Sequence, residues 1–263
     1  MGSDFAGPTA RYYAMYRRDV PAILLDAVVD AAGITSADWV LDLGCGTGQV
    51  AAVLSPRVGG VLAVDPEPDM LGGLRGRLAA EGAENVLPVL ASDASLPAIA
   101  RLVGAMFSAV TVANALHWMD SGRVFGHARR LLRPGGALAI VSQGPPMWLA
   151  DTNWARDLRS FLAQWAGGPL TGTCGTDRET AEERRERMRD HGFTSVELVE
   201  HTYENDIDLT YIEGHLYSAM PQTMVPTGRR PEFQSGLQRA LLEHLANGKL
   251  TERIDAIALI GLL

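Results

Sequence analysis

Short apolar runs and amphipathic stretches alternate along the first 143 residues of the chain. Apolar runs of strand length predict strands at 39–43, 61–64, 86–90, 105–113 and 137–142. Apolar residues at helical spacing predict helices at 19–32, 48–54, 69–81, 96–102 and 123–132. Strands that alternate with helices in this way predict an α/β fold, with a parallel sheet that helices cover on both faces.

The alternation stops after Gln143, where Gly144-Pro145-Pro146 interrupts the chain. Two helices without intervening strands are predicted at 154–165 and 178–191, followed by strands at 195–203 and 254–262 and helices at 211–220 and 232–246. This pattern predicts a core domain of residues 1–143, with an N-terminal helix, and 192–263. Residues 144–191 are predicted to form a helical cap over the acceptor site.

Composition and charge narrow the class of protein. The chain is 47% hydrophobic and 21% charged, which is typical of a folded globular domain. It has neither a membrane-spanning apolar run nor a signal-peptide pattern, which predicts a cytoplasmic protein without a membrane partner. A net charge of −8 argues against a nucleic-acid partner, because such binding depends on clustered Lys and Arg. Cys45 and Cys174 do not have the spacing of a metal site, so no metal is expected.

Residues 42–48 read DLGCGTG and lie between a predicted strand and a predicted helix. Glycines at positions 44, 46 and 48 permit positive φ, and without side chains they let a ligand lie against backbone N–H groups. A dinucleotide fingerprint has Gly or Ala at the position that Gln49 occupies here. The turn therefore favours a nucleotide-like ligand other than a dinucleotide.

Acidic residues end the neighbouring strands. Asp42 enters the turn ahead of the first glycine, where a carboxylate suits an ammonium group and repels a pyrophosphate. Asp65 ends the next strand and can reach ribose hydroxyls. Asp93 follows the third strand, where it either accepts a hydrogen bond from an adenine amino group or caps the next helix. Together these carboxylates favour a nucleoside that carries an amino acid.

Residues 38–142 resemble the core of the class I S-adenosylmethionine-dependent methyltransferases. The resemblance is carried by VLDLGCGTG, AVDPEPDML, SDAS and LLRPGGALAI. It implies S-adenosyl-L-methionine as cofactor and a doubly wound, seven-stranded, mostly parallel sheet in the order 3-2-1-4-5-7-6. The positions that match the family's cofactor-binding segments are Asp42, Gly44, Cys45, Gly46, Gly48, Asp65, Pro66, Met70, Asp93, Ala94 and Asn114.

Two further segments resemble the small-molecule branch of that family, the type 11-like methyltransferases. The branch carries YxxYRP near its start and HW after the fourth strand, and this chain has Tyr13-Ala-Met-Tyr16-Arg17 and Ala115-Leu-His117-Trp118. The chain departs from the pattern at Arg18, where the branch has proline. The resemblance implies that Tyr13 and Arg17 contact the methionine moiety.

Catalytic and acceptor candidates follow the fourth strand. His117 lies where the carboxyl ends of parallel strands open onto a ligand crevice, and it is either a base or substrate contact or a structural residue beside Trp118. Asn114 contacts the methionine moiety or the substrate, or makes a loop hydrogen bond. The tryptophans either wall a pocket or lie in the core; besides Trp118 they include Trp148, Trp154 and Trp165. Acceptor-binding positions of the branch correspond to Tyr211, His215 and Tyr217.

Six carboxylates with no Lys or Arg between them form either a solvated strand edge or an acidic mouth for a cationic substrate; they are Glu197, Glu200, Glu204, Asp206, Asp208 and Glu213. We expect methyl transfer to a small molecule, with N-methylation of an amino sugar in an antibiotic-biosynthesis intermediate as the first hypothesis. The alternative is O-methylation of a sugar or polyketide hydroxyl, with His117 as base. A nicotinamide-dependent oxidoreductase and a non-catalytic nucleoside-binding protein are the rival classes.

Overall fold

Seven strands form one sheet in the order β3-β2-β1-β4-β5-β7-β6, as predicted. The computed structural model describes residues 5–263, apart from the side chains of residues 178 and 179. The strands are β1 Trp39–Leu43, β2 Gly60–Asp65, β3 Val86–Leu90, β4 Phe107–Ala113, β5 Leu132–Gln143, β6 Ser195–Asp208 and β7 Lys249–Leu262. Strands β1 to β5 pair in parallel, whereas β7 is antiparallel to both β5 and β6.

Helices cover both faces of this sheet. They are α1 Pro8–Tyr16, α2 Ala22–Ala31, α3 Ala51–Leu54, α4 Pro68–Glu81, α5 Leu96–Val103, α6 Ser121–Leu131, α7 Asn153–Ala166, α8 Arg178–Asp190, α9 Leu209–Ala219 and α10 Arg230–Leu241. One core cluster joins the sheet to α2, α3 and α4, and a second joins it to α5, α6 and α8. Because the central strands are buried on both faces, they read as continuous apolar runs. No helix within residues 5–263 is long and apolar enough to cross a membrane.

A third core cluster lies beyond the carboxyl edge of the sheet and joins α7, α9 and α10. Leu158, Ile212 and Phe233 are fully buried in it. Residues 144–191 do not all pack in this cluster, because α8 packs on the sheet through Ala181 and Met188. The predicted cap boundary stays a prediction, and the packing groups α7 with the two late helices.

Several elements differ from the prediction. Helix α1 was not predicted, and α3 begins at Ala51 because residues 47–50 form a turn. The predicted helix at 232–246 ends at Leu241 and continues only as a short 3₁₀ turn. Strands β6 and β7 each have 14 residues and are longer than predicted. Their outer halves alternate exposed and buried positions, as expected where an edge hairpin extends beyond the central sheet.

Candidate functional site

A cavity of about 190 Å³ opens at the carboxyl ends of β1, β4 and β5. Its wall combines segments from both ends of the chain, from α1 near the start to β7 near the end. The predicted site residues that line it are Tyr13, Arg17, Asp42, Gly44, Cys45, Asn114, His117, Trp118 and His215. The fold thus brings together most of the residues predicted for the methionine moiety and for the chemistry.

The glycine loop borders this cavity and depends on its missing side chains. Gly44, Gly46 and Gly48 have φ of 69°, 54° and 96°. A Cβ atom on Gly44 would lie 2.6 Å from the Cβ of Ala115, and one on Gly48 would lie 2.6 Å from Leu74 Cδ1. The first and third glycines are therefore required both by backbone conformation and by close packing.

Asp42 is the most deeply buried carboxylate in the cavity wall, with 1% of its surface exposed. Its Oδ1 accepts a hydrogen bond of 2.8 Å from Thr111 Oγ1, whereas Oδ2 has no partner among the described residues. Burial raises the pKa of Asp42 to about 7, against the effects of the Thr111 hydrogen bond and of the Ala51 backbone N–H. A buried carboxylate with an unpaired oxygen is poorly stabilised by itself and suits a cationic ligand.

Helix α1 supplies Tyr13 and Arg17 to the same cavity. The Tyr13 ring lies 3.6 Å from the position that a Cβ on Gly46 would occupy, so the helix packs directly on the glycine loop. Arg17 Nε donates a hydrogen bond of 2.8 Å to Ser218 Oγ on α9, and its guanidinium lies 5.2 Å from the centre of the Tyr13 ring. The guanidinium is thereby fixed in the cavity wall that also contains Asp42.

The residues predicted for ribose and adenine lie outside the cavity lining, at the ends of β2 and β3. They are Asp65, Pro66, Met70, Asp93 and Ala94, and Gly46 and Gly48 of the loop are likewise outside the lining. Asp65 Oδ2 accepts from the Gly46 N–H and Oδ1 from the Glu67 N–H, each at 2.9 Å. Asp93 does not cap the following helix, whose N-terminal cap is Ser95 without a side-chain hydrogen bond.

His117 and Trp118 lie together in a short turn after β4, with ring centres 5.0 Å apart. The His117 ring reaches solvent on one side, yet partial burial and the guanidinium groups of Arg184 and Arg17 lower its pKa to about 4. The imidazole is therefore neutral at pH 7. Asn114 Oδ1 accepts a hydrogen bond of 3.1 Å from the Gln143 N–H, so the loop hydrogen bond considered for this residue is present.

The cavity wall also contains residues that the sequence did not indicate, among them Arg18, Gln143 and Glu252. Arg18 forms an ion pair with Glu252, and both side chains are largely buried. Tyr203 donates a hydrogen bond of 2.9 Å from its hydroxyl to Gln143 Oε1. Arg18 departs from the family pattern, and Glu252 lies in an ordinary alternating strand, so only the departure at Arg18 was a signal.

Two predicted acceptor residues do not line the cavity. Tyr217 follows His215 by two positions on α9, and residues at that spacing point to different sides of a helix. Its ring packs 5.0 Å from Tyr12 and 4.8 Å from the Arg230 guanidinium instead. Tyr211 shares the side of His215, but its ring lies behind the wall, 5.1 Å from the Arg18 guanidinium.

The six clustered carboxylates also lie away from the cavity. None of them is among the described residues that line it. They are mostly exposed on β6, the outermost strand, and Asp208 caps α9 by accepting a hydrogen bond of 2.7 Å from the Tyr211 N–H. The solvated-edge interpretation fits this placement, and the alternative of an acidic mouth at this cavity is not supported.

Comparisons with known proteins agree with this architecture. Residues 40–136 match a family model described as a methyltransferase domain. An uncharacterized methyltransferase of Mycobacterium tuberculosis is 36% identical over 158 residues, which are 60% of this chain and 58% of that protein. The arsenite methyltransferase of Halobacterium salinarum is 31% identical over 170 residues, 64% of this chain and 40% of that protein. The chain therefore spans less than two thirds of the length of these relatives.

Solved structures show the same fold. The YcgJ protein of Bacillus subtilis superimposes with a TM-score of 0.55 at 17% identity, covering 92% of this chain and 98% of that chain. Precorrin 8w decarboxylase of Methanobacterium thermoautotrophicum does so with a TM-score of 0.55 at 17% identity, covering 95% and 94%. At such identities the likeness concerns the fold alone, because one fold serves several reactions. The chain has the seven-stranded sheet expected of a Rossmann-like methyltransferase fold, and residues 40–136 match the model of a methyltransferase domain.

Proposed function

We propose that the protein is an S-adenosylmethionine-dependent methyltransferase that acts on a small molecule. The observation that carries this proposal is that Asp42 and Arg17 both lie in the wall of one cavity. An amino acid carries an ammonium and a carboxylate, and these two side chains offer one opposite charge for each. The ammonium can donate a hydrogen bond to Oδ2 of Asp42, which has no partner among the described residues.

The other predicted contacts are compatible with the nucleoside part of the same ligand. Strands β4, β1, β2 and β3 are neighbours, so the ends that carry Asn114, Asp42, Asp65 and Asp93 follow one another along one edge of the sheet. Both oxygens of Asp65 accept backbone hydrogen bonds, but each carboxylate oxygen has a second lone pair for a ribose hydroxyl. When bound, S-adenosylmethionine supplies an electrophilic methyl group on a sulfonium.

The residues of this chain contribute alignment and exclusion of water rather than covalent chemistry. Phe5 contacts Tyr13 and Trp118 edge-on, at ring-centre distances of 6.3 and 5.5 Å, and so narrows the opening of the cavity. His117 has a pKa of about 4, far below the pH at which a cytoplasmic enzyme works, so it is poorly matched to act as a general base. We assign it a contact with the acceptor or the cofactor.

The charges of the cavity favour an oxygen acceptor over a cationic amine. Asp42 and Glu252 are the only carboxylates among the described residues that line it, and Glu252 is already paired with Arg18. N-methylation of an amino sugar in an antibiotic intermediate therefore gains no support from the cavity. Transfer to an oxygen is the candidate that the wall favours.

Calorimetric titration tests the proposal with S-adenosylmethionine, S-adenosylhomocysteine and NADH as separate ligands. We expect both sulfur nucleosides to bind and NADH not to bind. Arg17→Met should weaken S-adenosylmethionine binding about tenfold or more, as expected for a lost hydrogen bond to a charged group. Arg11→Met, on the exposed side of α1, is the matched control. Binding of NADH alone would overturn the assignment.

A further inference from the structure

Trp148 and His215 both line the cavity and each contains a buried nitrogen without a hydrogen-bond partner. Each residue is 7% exposed, and the unpaired atoms are Trp148 Nε1 and His215 Nδ1. Neither residue is used in the binding of the methionine moiety proposed above. A buried indole N–H that lacks a partner is destabilising, and a ligand that accepts from it relieves that cost, whereas Nδ1 of a neutral imidazole donates or accepts according to its tautomer.

The other buried indoles of the cap region differ from Trp148 in this respect. Trp154 Nε1 donates a hydrogen bond of 3.2 Å to the Thr251 carbonyl, and Trp165 Nε1 donates one of 2.8 Å to the Met224 carbonyl. All three tryptophans belong to the third core cluster or pack against it, and of the three Trp148 is the one that lines the cavity. The unpaired indole is therefore the one at the cavity.

Two arginines act on the part of the cavity wall that contains His215. Burial lowers the pKa of His215 well below its ordinary value, and Arg17 and Arg18 lower it further. Arg184 and Arg17 act on His117 in the same direction. In the proposed complex Asp42 balances the ammonium of the cofactor and Arg17 balances its carboxylate, while Glu252 is already paired with Arg18. The sulfonium of the cofactor would then remain without a counter-charge. An anion is the acceptor that completes this balance.

We propose, on the basis of the methyltransferase function above, that the acceptor is a carboxylate attached to an apolar body and that Trp148 Nε1 donates to one of its oxygens. The apolar body packs against the part of the wall formed by Pro145, Pro146 and Met147. One carboxylate oxygen forms the new bond to the methyl carbon while the carbon–sulfur bond breaks. The sulfur keeps that electron pair, the product is a methyl ester, and no proton is transferred.

A carboxylate also fits the lack of a suitable base. An alcohol or an ammonium must lose a proton before or during methyl transfer, and a useful base has a pKa near the working pH. His117 and His215 are both neutral imidazoles with depressed pKa values. Asp42 has a pKa of about 7, but it is assigned to the ammonium of the cofactor. A carboxylate has already lost its proton at neutral pH and asks for no base.

Three probes of matched shape test the inference: phenylacetate, phenethyl alcohol and phenethylamine. Each is titrated calorimetrically into the full-length protein saturated with S-adenosylhomocysteine. We expect phenylacetate to bind at least about tenfold more tightly than the other two, the difference expected for a hydrogen bond to a charged group. Trp148→Phe should remove most of this preference and leave the affinity for S-adenosylhomocysteine unchanged.

Trp165→Phe is the matched control, because it removes an indole N–H that is paired inside the third core cluster. Thermal unfolding of both variants checks that the fold is retained. A preference for the amine or the alcohol, equal binding of all three probes, or no binding of phenylacetate would overturn the carboxylate inference. Failure of S-adenosylhomocysteine itself to bind would instead refute the proposed function.

Discussion

Replacing Asp42 with Asn removes a carboxylate charge that ligand binding uses and that destabilises the ligand-free fold. Burial raises the pKa of Asp42 from 3.8 to about 7, so the charged form is less stable in the fold by roughly 4 kcal/mol than in the unfolded chain. The sign follows from the higher folded pKa. Stability is undiminished below pH 3.8, falls as the pH rises towards 7, and stays low above it.

The magnitude follows from the same two pKa values. Between pH 5 and pH 8, the wild type should lose roughly 2–3 kcal/mol of unfolding free energy through Asp42, and the uncharged Asn should not. The Asn amide lacks a partner in place of Oδ2, which destabilises the variant by about 1–3 kcal/mol at every pH. The slope with pH, rather than the stability at one pH, is therefore the quantity that isolates the charge.

Urea unfolding followed by circular dichroism at pH 5 and pH 8 measures this slope. Affinity for S-adenosylmethionine should change in the opposite sense: the wild type binds more tightly as the pH rises through 7, whereas Asp42→Asn binds about tenfold to a hundredfold more weakly at pH 8. Asp38→Asn is the control, because hydrogen bonds, chiefly from Ser108, lower the pKa of that carboxyl and it lies outside the cavity. An unchanged pH slope, or unchanged ligand affinity, in Asp42→Asn would refute the reasoning.

Three further substitutions test the rest of the site. Arg17→Met should leave the unfolding temperature within a few degrees of the wild type, because the side-chain hydrogen bond that it removes is the one to Ser218. Its cofactor affinity should fall about tenfold or more. Gly214→Ala would place a Cβ against the Tyr16 ring and so loosen α1. We expect faster amide hydrogen exchange across α1 and weaker cofactor binding. Unchanged exchange would contradict this packing. His117→Gln should keep the turnover rate within about tenfold and the pH–rate profile unchanged near neutrality, whereas a thousandfold loss would restore the role of a base.

Local pattern predicted the centre of the sheet well because its central strands are buried on both faces. A strand such as β4 is buried from Phe107 to Val112, and it therefore appears as an uninterrupted apolar run. Helix α1 left no comparable signal. It packs against α9, about two hundred residues later, where Gly214 admits the Tyr16 ring. A helix that depends on such a contact cannot be found from the pattern of its own nine residues.

The site, like the fold, contains some residues that the sequence could predict and others that it could not. Asp42 and Gly44 were predictable because a short segment carries both the turn and its charge. Glu252 reaches the cavity only after β7 is assembled, and its place in the sequence contains no trace of this, whereas Trp148 and His215 were already pocket candidates. Tyr217 was assigned, like His215, from the resemblance to the small-molecule branch, although helical geometry alone separates the two side chains.

The net charge of the chain does not indicate the charge of the acceptor. The chain carries −8, but its clustered carboxylates lie on the edge strand β6, in contact with solvent. Salt screens exposed charges beyond roughly 8 Å at physiological ionic strength, so this edge contributes little inside the cavity. The buried groups of the wall are screened much less, and there Asp42 and Arg17 match the two charges of the bound amino acid while Glu252 is paired with Arg18. The sulfonium is then the unbalanced charge of the occupied site, and an anionic acceptor follows from the charges that are buried rather than from those that are numerous.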